Sequence, residues 1–96
     1  MTPQDRPLQH PNAAWREVEG EVVIISPEDS VLHELNETAS FIWKLSTGKH
    51  TAEEIAGRMA GQFDVDSATA LADSCEMLNH LEQKKLLVCA EAEARS

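Results

Sequence analysis

The sequence predicts an α+β domain, a three-stranded antiparallel sheet followed by three helices and a short C-terminal strand, on three observations. Two runs rich in Val, Ile and Trp flank Glu19-Gly20, the arrangement of strands joined by a tight turn. Helix-capping residues then recur at Asn36, Thr51 and Asp66. Behind each cap, apolar residues repeat at three- and four-residue spacing. With 96 residues, the chain is long enough for one domain with a single modest core.

The elements follow in order. Residues 1–12 carry Pro3, Pro7 and Pro11 and no apolar cluster, so they are expected to form a flexible leader, with the domain over 13–89 and a polar tail over 90–96. In "AAWREVEGEVVIIS", Gly20 supplies the positive φ of a hairpin turn between two strands. The second strand, Val22-Val23-Ile24-Ile25, is apolar on both faces, so one face meets a core and the other needs cover from elsewhere. "SPEDS" reads as a turn, after which a third strand puts Val31, His33 and Leu35 on one face and Leu32, Glu34 and Asn36 on the other.

Asn36 caps the first helix, where Ala39, Ile42, Trp43 and Leu45 form the buried side and Gly48 is the stop. Thr51 with Glu54 spells a capping box for the second helix, and Ile55, Met59 and Phe63 line its inner face. Asp66 caps a longer third helix to about Lys85, and "LLVC" adds the last strand. Three helices with a small antiparallel sheet match the winged helix-turn-helix architecture.

Charge narrows the function. Eight Lys and Arg against seventeen Asp and Glu give a net charge of −9, which repels phosphate backbones and anionic lipid surfaces. The third helix carries Asp66, Asp73, Glu76 and Glu82, where a DNA reader presents Lys or Arg to phosphates. Nucleic acid is therefore not an expected partner. No apolar run reaches the ~20 residues of a membrane span, and no secretion signal is present, so a soluble cytoplasmic protein with free thiols is expected.

Catalytic chemistry is not spelled either. Cys75 and Cys89 form no C-x-x-C pair and the four histidines lie far apart, so neither a metal knuckle nor a redox motif is present. His33 has no companion nucleophile, and His10, His50 and His80 read as surface residues. Ser30, in "EDSVL", invites comparison with the modified serine of acyl carrier proteins. A β-branched run upstream and a helix cap six residues downstream suit a turn serine better.

Two features remain for binding. Placed at ~100° per residue, Ala68, Leu71, Cys75 and Leu78 centre an apolar face on the third helix, with Ala72 on one shoulder and Ala70, Met77 and Leu81 on the other. That arc is wider than one core contact requires. The third strand, if the strands pair in sequence order, also leaves a row of N–H and C=O groups unpaired, with no Pro or Lys to guard it.

The run "GEVVIISPEDSVLHELNETASFIWKL", with Leu35-Asn36-Glu37-Thr38-Ala39 followed by Ile42-Trp43, Leu45 and Gly48, resembles the PqqD family, as does the pattern of "TAEEIAGRM" and "DVDSATALADSCEMLNHLEQKKLLV". The resemblance covers about residues 13–89. It implies a RiPP recognition element, a peptide chaperone that binds the leader of a ribosomally made precursor by strand addition. The bound leader is presented to a modifying enzyme such as a radical SAM maturase, without catalysis and without a cofactor. Carried over, the peptide contacts would be Val31, Leu32, His33, Glu34 and Leu35 on the strand, with Leu71, Ala72, Cys75, Leu78 and Asn79 on the helix. The pathway stays open between pyrroloquinoline quinone biosynthesis and another peptide product. A regulatory winged-helix module without peptide binding is the alternative.

Overall fold

The computed structural model describes residues 2–90. Its order is β1 (Arg6–Gln9), β2 (Ala14–Val18), β3 (Glu21–Ile25), β4 (Leu32–Glu34), α1 (Glu37–Leu45), α2 (Ala52–Phe63), α3 (Ser67–Gln83) and β5 (Leu87–Ala90). The strands make two sheets, β2-β3-β4 and β1-β5, both antiparallel. The expected three strands, three helices and closing strand are all present, and β1 is an addition.

β1 corrects the expectation of a flexible leader over residues 1–12. Arg6 to Gln9 pair with Ala90 to Leu87, and on the opposite side Gly48 N–H donates to the Pro7 carbonyl at 2.9 Å and Gln9 N–H to the Ser46 carbonyl at 2.9 Å. Backbone groups of one residue point to the same side of a strand, so the N–H that Pro7 lacks would have faced Gly48 rather than β5. The proline therefore leaves the β1–β5 ladder whole. Gly48, at φ +84°, makes the close turn against β1, where an added Cβ would meet Leu8 Cδ1 at 3.4 Å. The last strand likewise takes in Ala90 from the expected tail, and the rest of that tail lies outside the described residues.

The β2–β3 hairpin turns on Glu19 and Gly20, both in the left-handed region at φ 54° and 86°, the geometry whose twist matches flanking strands. Val22 and Ile24 point inward and are fully buried. Leu35 continues the inner face of β4 and is buried too, as its alternation with Leu32 and Glu34 requires. On the outer face, Val18, Ile25 and Leu32 stay exposed, so the second apolar face of β3 has no cover among the described residues.

Capping matches the sequence. Asn36 Oδ1 accepts from Ala39 N–H at 2.9 Å, and Thr51 and Glu54 exchange both bonds of a capping box, at 3.1 and 2.9 Å. Asp66 Oδ2 accepts from Thr69 N–H at 3.4 Å. The core joins Ile42 and Trp43 of α1 with Ile55 and Met59 of α2 and Leu78 and Leu81 of α3. Trp15 packs edge-on to Trp43 with ring centroids 6.0 Å apart, tying the hairpin to α1.

Candidate functional site

β4 is the starting point, because it is an edge strand. It pairs with β3 through Ile25↔Leu32, Ile24↔His33 and Val23↔Glu34, and no described strand lies on its other side. Leu35 N–H donates to the Val22 carbonyl and the Val31 carbonyl accepts from Ser26 N–H, both at 2.9 Å, so the backbone groups of Val31 and Leu35 face β3. Alternation along the strand then turns the N–H and C=O of Leu32 and Glu34 outward. Those two residues offer two donors and two acceptors at the open edge.

Residues flanking this strand on each side lie near α3. Before β4, Glu28 meets Lys85 just beyond α3 at 3.6 Å. After β4, Asn36 shares a cavity of about 400 Å³ with Asp73, Glu76, Met77 and His80 of α3 and Thr38 and Ile42 of α1. β4 and α3 therefore run past each other in opposite directions. From Asp73 to Gln83 the helix rises about 15 Å, the length of four to five extended residues.

The sequence-derived candidates divide between these surfaces. Val31, Leu32 and Glu34 are exposed, His33 is half-buried and Leu35 is buried. On α3, Leu78 is sealed in the core at 0% exposure and presents no surface, while Leu71 and Cys75 are half-buried against that core. Ala72 and Asn79 lie on the outer side of the helix, where with Cys75 they border a shallow depression that Glu76 and His80 also line. The structure thus brings the backbone groups of Leu32 and Glu34 to the open edge, while those of Val31 and Leu35 pair with β3. The α3 side chains at the cavity that Asn36 lines, two residues past β4, are instead Asp73, Glu76, Met77 and His80.

Ser74 explains the offset. It is fully buried, its hydroxyl 3.6 Å from Met59 Sδ, and with Ala70, Leu78 and Leu81 it forms the true centre of the buried face. A polar residue at that centre draws an apolar helical wheel toward Leu71 and Cys75. The signal for the other side was Met77, an apolar shoulder residue whose neighbours on the same stripe, Asp73 and His80, are polar.

Among the described residues no group of three or more His, Cys, Asp or Glu could hold a metal ion. Both cysteines are free, and burial, reinforced by the Asp5 carboxylate, pushes the Cys89 thiol above its ordinary range, which disfavours the thiolate. No described helix is long and apolar enough to cross a membrane.

A small α+β winged-helix module with an open strand edge lying along its third helix is the class that this fold and site define. The family model of coenzyme PQQ synthesis protein D (PqqD) matches residues 21–87, and the chain belongs to that family. The chain is 37% identical over 65 residues to the "PqqA binding protein" of Xanthomonas oryzae pv. oryzae, covering 68% of each. It is 35% identical over the same length to the protein of that name from Xanthomonas euvesicatoria pv. vesicatoria. Among solved structures, the PqqD truncation of Methylobacterium extorquens PqqCD, described as a functional and stand-alone RiPP recognition element, matches at TM-score 0.70 and 30% identity over 85% of this chain and 87% of that one. TbiB1 in complex with the TbiA(β) leader peptide shares the fold at TM-score 0.79 and 24% identity, over 90% of this chain and 99% of that one. So does a lasso peptide synthetase B1 complexed with its leader peptide, at TM-score 0.77 and 16% identity, over 86% and 98%.

Proposed function

We propose that this protein binds the leader segment of a ribosomally made precursor peptide and hands it to a peptide-modifying enzyme. The observation that carries this reading is the open edge of β4, where the outward N–H and C=O groups of Leu32 and Glu34 await an added strand. Main-chain pairing at Leu32 and Glu34 would provide affinity, and the cavity lined by Ile42 and Met77 would take a side chain from the added strand. The helix contacts then fall on the Asp73-Met77-His80 stripe of α3. Relatives named for binding PqqA, and solved relatives of the same fold captured with leader peptides, support the same reading.

The protein would act without chemistry of its own, holding the leader so that the core peptide reaches the partner's active site at high effective concentration. A radical SAM maturase in the cytoplasm is the partner we favour, in pyrroloquinoline quinone biosynthesis or a related peptide pathway. An amide NMR titration with leader peptides of precursors encoded beside this gene tests it. Shifts concentrated on residues 31–35 and on the 73–80 stripe are expected. A folded protein that shows none with any of these leaders would overturn the proposal in favour of a regulatory module without peptide binding.

A further inference from the structure

Asp73 and Glu76 stand three residues apart on α3, exposed at the mouth of the cavity whose floor is Ile42 and Met77. Like charges at this spacing repel each other, and a helix normally offsets them with Lys or Arg three or four residues away. Here those positions hold Thr69, Ala70, Ala72, Met77, Asn79 and His80. Lys44 pairs with Glu17 and Lys85 with Glu28 rather than with either carboxylate, and among the described residues no Lys or Arg lines this cavity. An apolar cavity is thus rimmed on its α3 side by two carboxylates, with no Lys or Arg among the described residues that line it, at the end of a strand edge open to pairing.

Resting on the peptide-binding reading, we infer that this groove selects precursor segments in which an apolar side chain is followed or preceded closely by Lys or Arg. The apolar group fills the cavity over Ile42 and Met77. The cation lies across Asp73 and Glu76, relieving their repulsion, while the backbone between them pairs with β4. Successive side chains of an extended strand point to opposite faces, so the apolar and basic groups that share the groove side stand two residues apart. A long Lys or Arg stem can also reach the rim from a neighbouring position. An acidic segment would meet both the rim and the overall charge of −9 unfavourably, so the same two residues exclude as well as select.

Selection of random peptides displayed on phage, run in parallel on the wild-type protein and on the Asp73→Asn/Glu76→Gln double variant, tests the inference. Both substitutions are isosteric and at exposed positions, so the variant's amide spectrum reports whether the fold is retained. Wild type should enrich an apolar residue with Lys or Arg within two positions. The double variant should lose the basic preference, and its affinity for a selected Lys-containing peptide should fall about tenfold, as expected for two partly exposed ion pairs. Enrichment of apolar patterns without a basic bias, or a bias that survives in the variant, would overturn the inference while leaving strand addition intact. If wild type enriches no peptide at all, the peptide-binding reading itself fails and the inference with it.

Discussion

The hydroxyl of Ser40 stands where β3 and β4 would otherwise continue their ladder: its Oγ accepts from Val22 N–H at 2.7 Å and donates to the Leu35 carbonyl at 3.2 Å. One side chain from α1 thus joins the inner end of β3 to the end of the open edge strand β4. Because Ser40 is buried, no water replaces it at either backbone group. Replacing Ser40 with Ala is expected to cost about 1–3 kcal/mol, the penalty of leaving buried polar groups unpaired. Urea unfolding checks the magnitude, and faster hydrogen exchange at Val22, whose N–H loses its acceptor, locates it.

Proline substitutions along β4 should separate docking from folding. The Glu34 N–H points to the open edge and the His33 N–H to β3, so Glu34→Pro removes a docking donor and His33→Pro a ladder bond. Glu34→Pro is expected to weaken leader binding about tenfold or more, through one lost hydrogen bond and the bulk of the ring. Its thermal midpoint should fall far less than that of His33→Pro. Paired melting curves and titrations decide; equal destabilisation by the two variants would contradict the assigned strand alternation.

Which side of α3 meets the peptide is settled by a charge placed on each. Met77→Asp puts a carboxylate beside Ile42 in the cavity, and leader affinity should drop about tenfold or more from desolvation and lost apolar contact. Ala72→Asp adds the same charge on the outer side of the helix. Calorimetric titration of both variants with one leader gives the comparison. A larger loss with Ala72→Asp would return the contact face to Leu71, Ala72 and Cys75.

Acid should loosen the turn that leads into β4. The Ser26 side chain, and then the Val31 N–H, hold the Asp29 carboxyl below its ordinary value of 3.8, and the Thr69 side chain and N–H do the same for Asp66 at the cap of α3. A depressed carboxylate contributes stability that is complete above 3.8 and is lost as pH falls through the lower folded-state value. Melting temperatures should therefore be insensitive to these groups near neutrality and decline below about pH 4. Asp29→Asn and Asp66→Asn should each flatten that acidic decline, as thermal scans across the range would show.

Local chemistry carried most of the fold into view. Asn36, Thr51 with Glu54, and Asp66 announce their helices because capping needs only neighbours in sequence, and Glu19-Gly20 announces its hairpin for the same reason. β1 was invisible because its partners are Leu87 to Ala90 and Ser46 to Gly48, far away along the chain, and because Pro7 argues against a strand unless one knows which side its missing donor faces. The open edge of β4 was legible from the order of the strands. The centre of the buried face of α3 was not, since Ser74 is buried there beside Met59, a polar contact that hydrophobic periodicity counts as surface.

Pairing of β1 with β5 makes Arg6 and Ala90 opposite rungs of one ladder. Backbones so paired lie about 5 Å apart, so the first strand opens beside the end of the last, while residues 2–5 fold onto the start of α2 through Glu53 N–H to the Pro3 carbonyl at 3.0 Å and Ala52 N–H to the Asp5 carbonyl at 2.8 Å. A unit with that geometry tolerates circular permutation, with the old ends joined by a short linker and new ones opened in an exposed turn. It can equally be spliced into a surface loop of a larger host, or fused at either end, with no strain on the sheet. Because the splice point lies in the β1-β5 sheet and β4 belongs to the other sheet, such a graft would leave the β4 edge open.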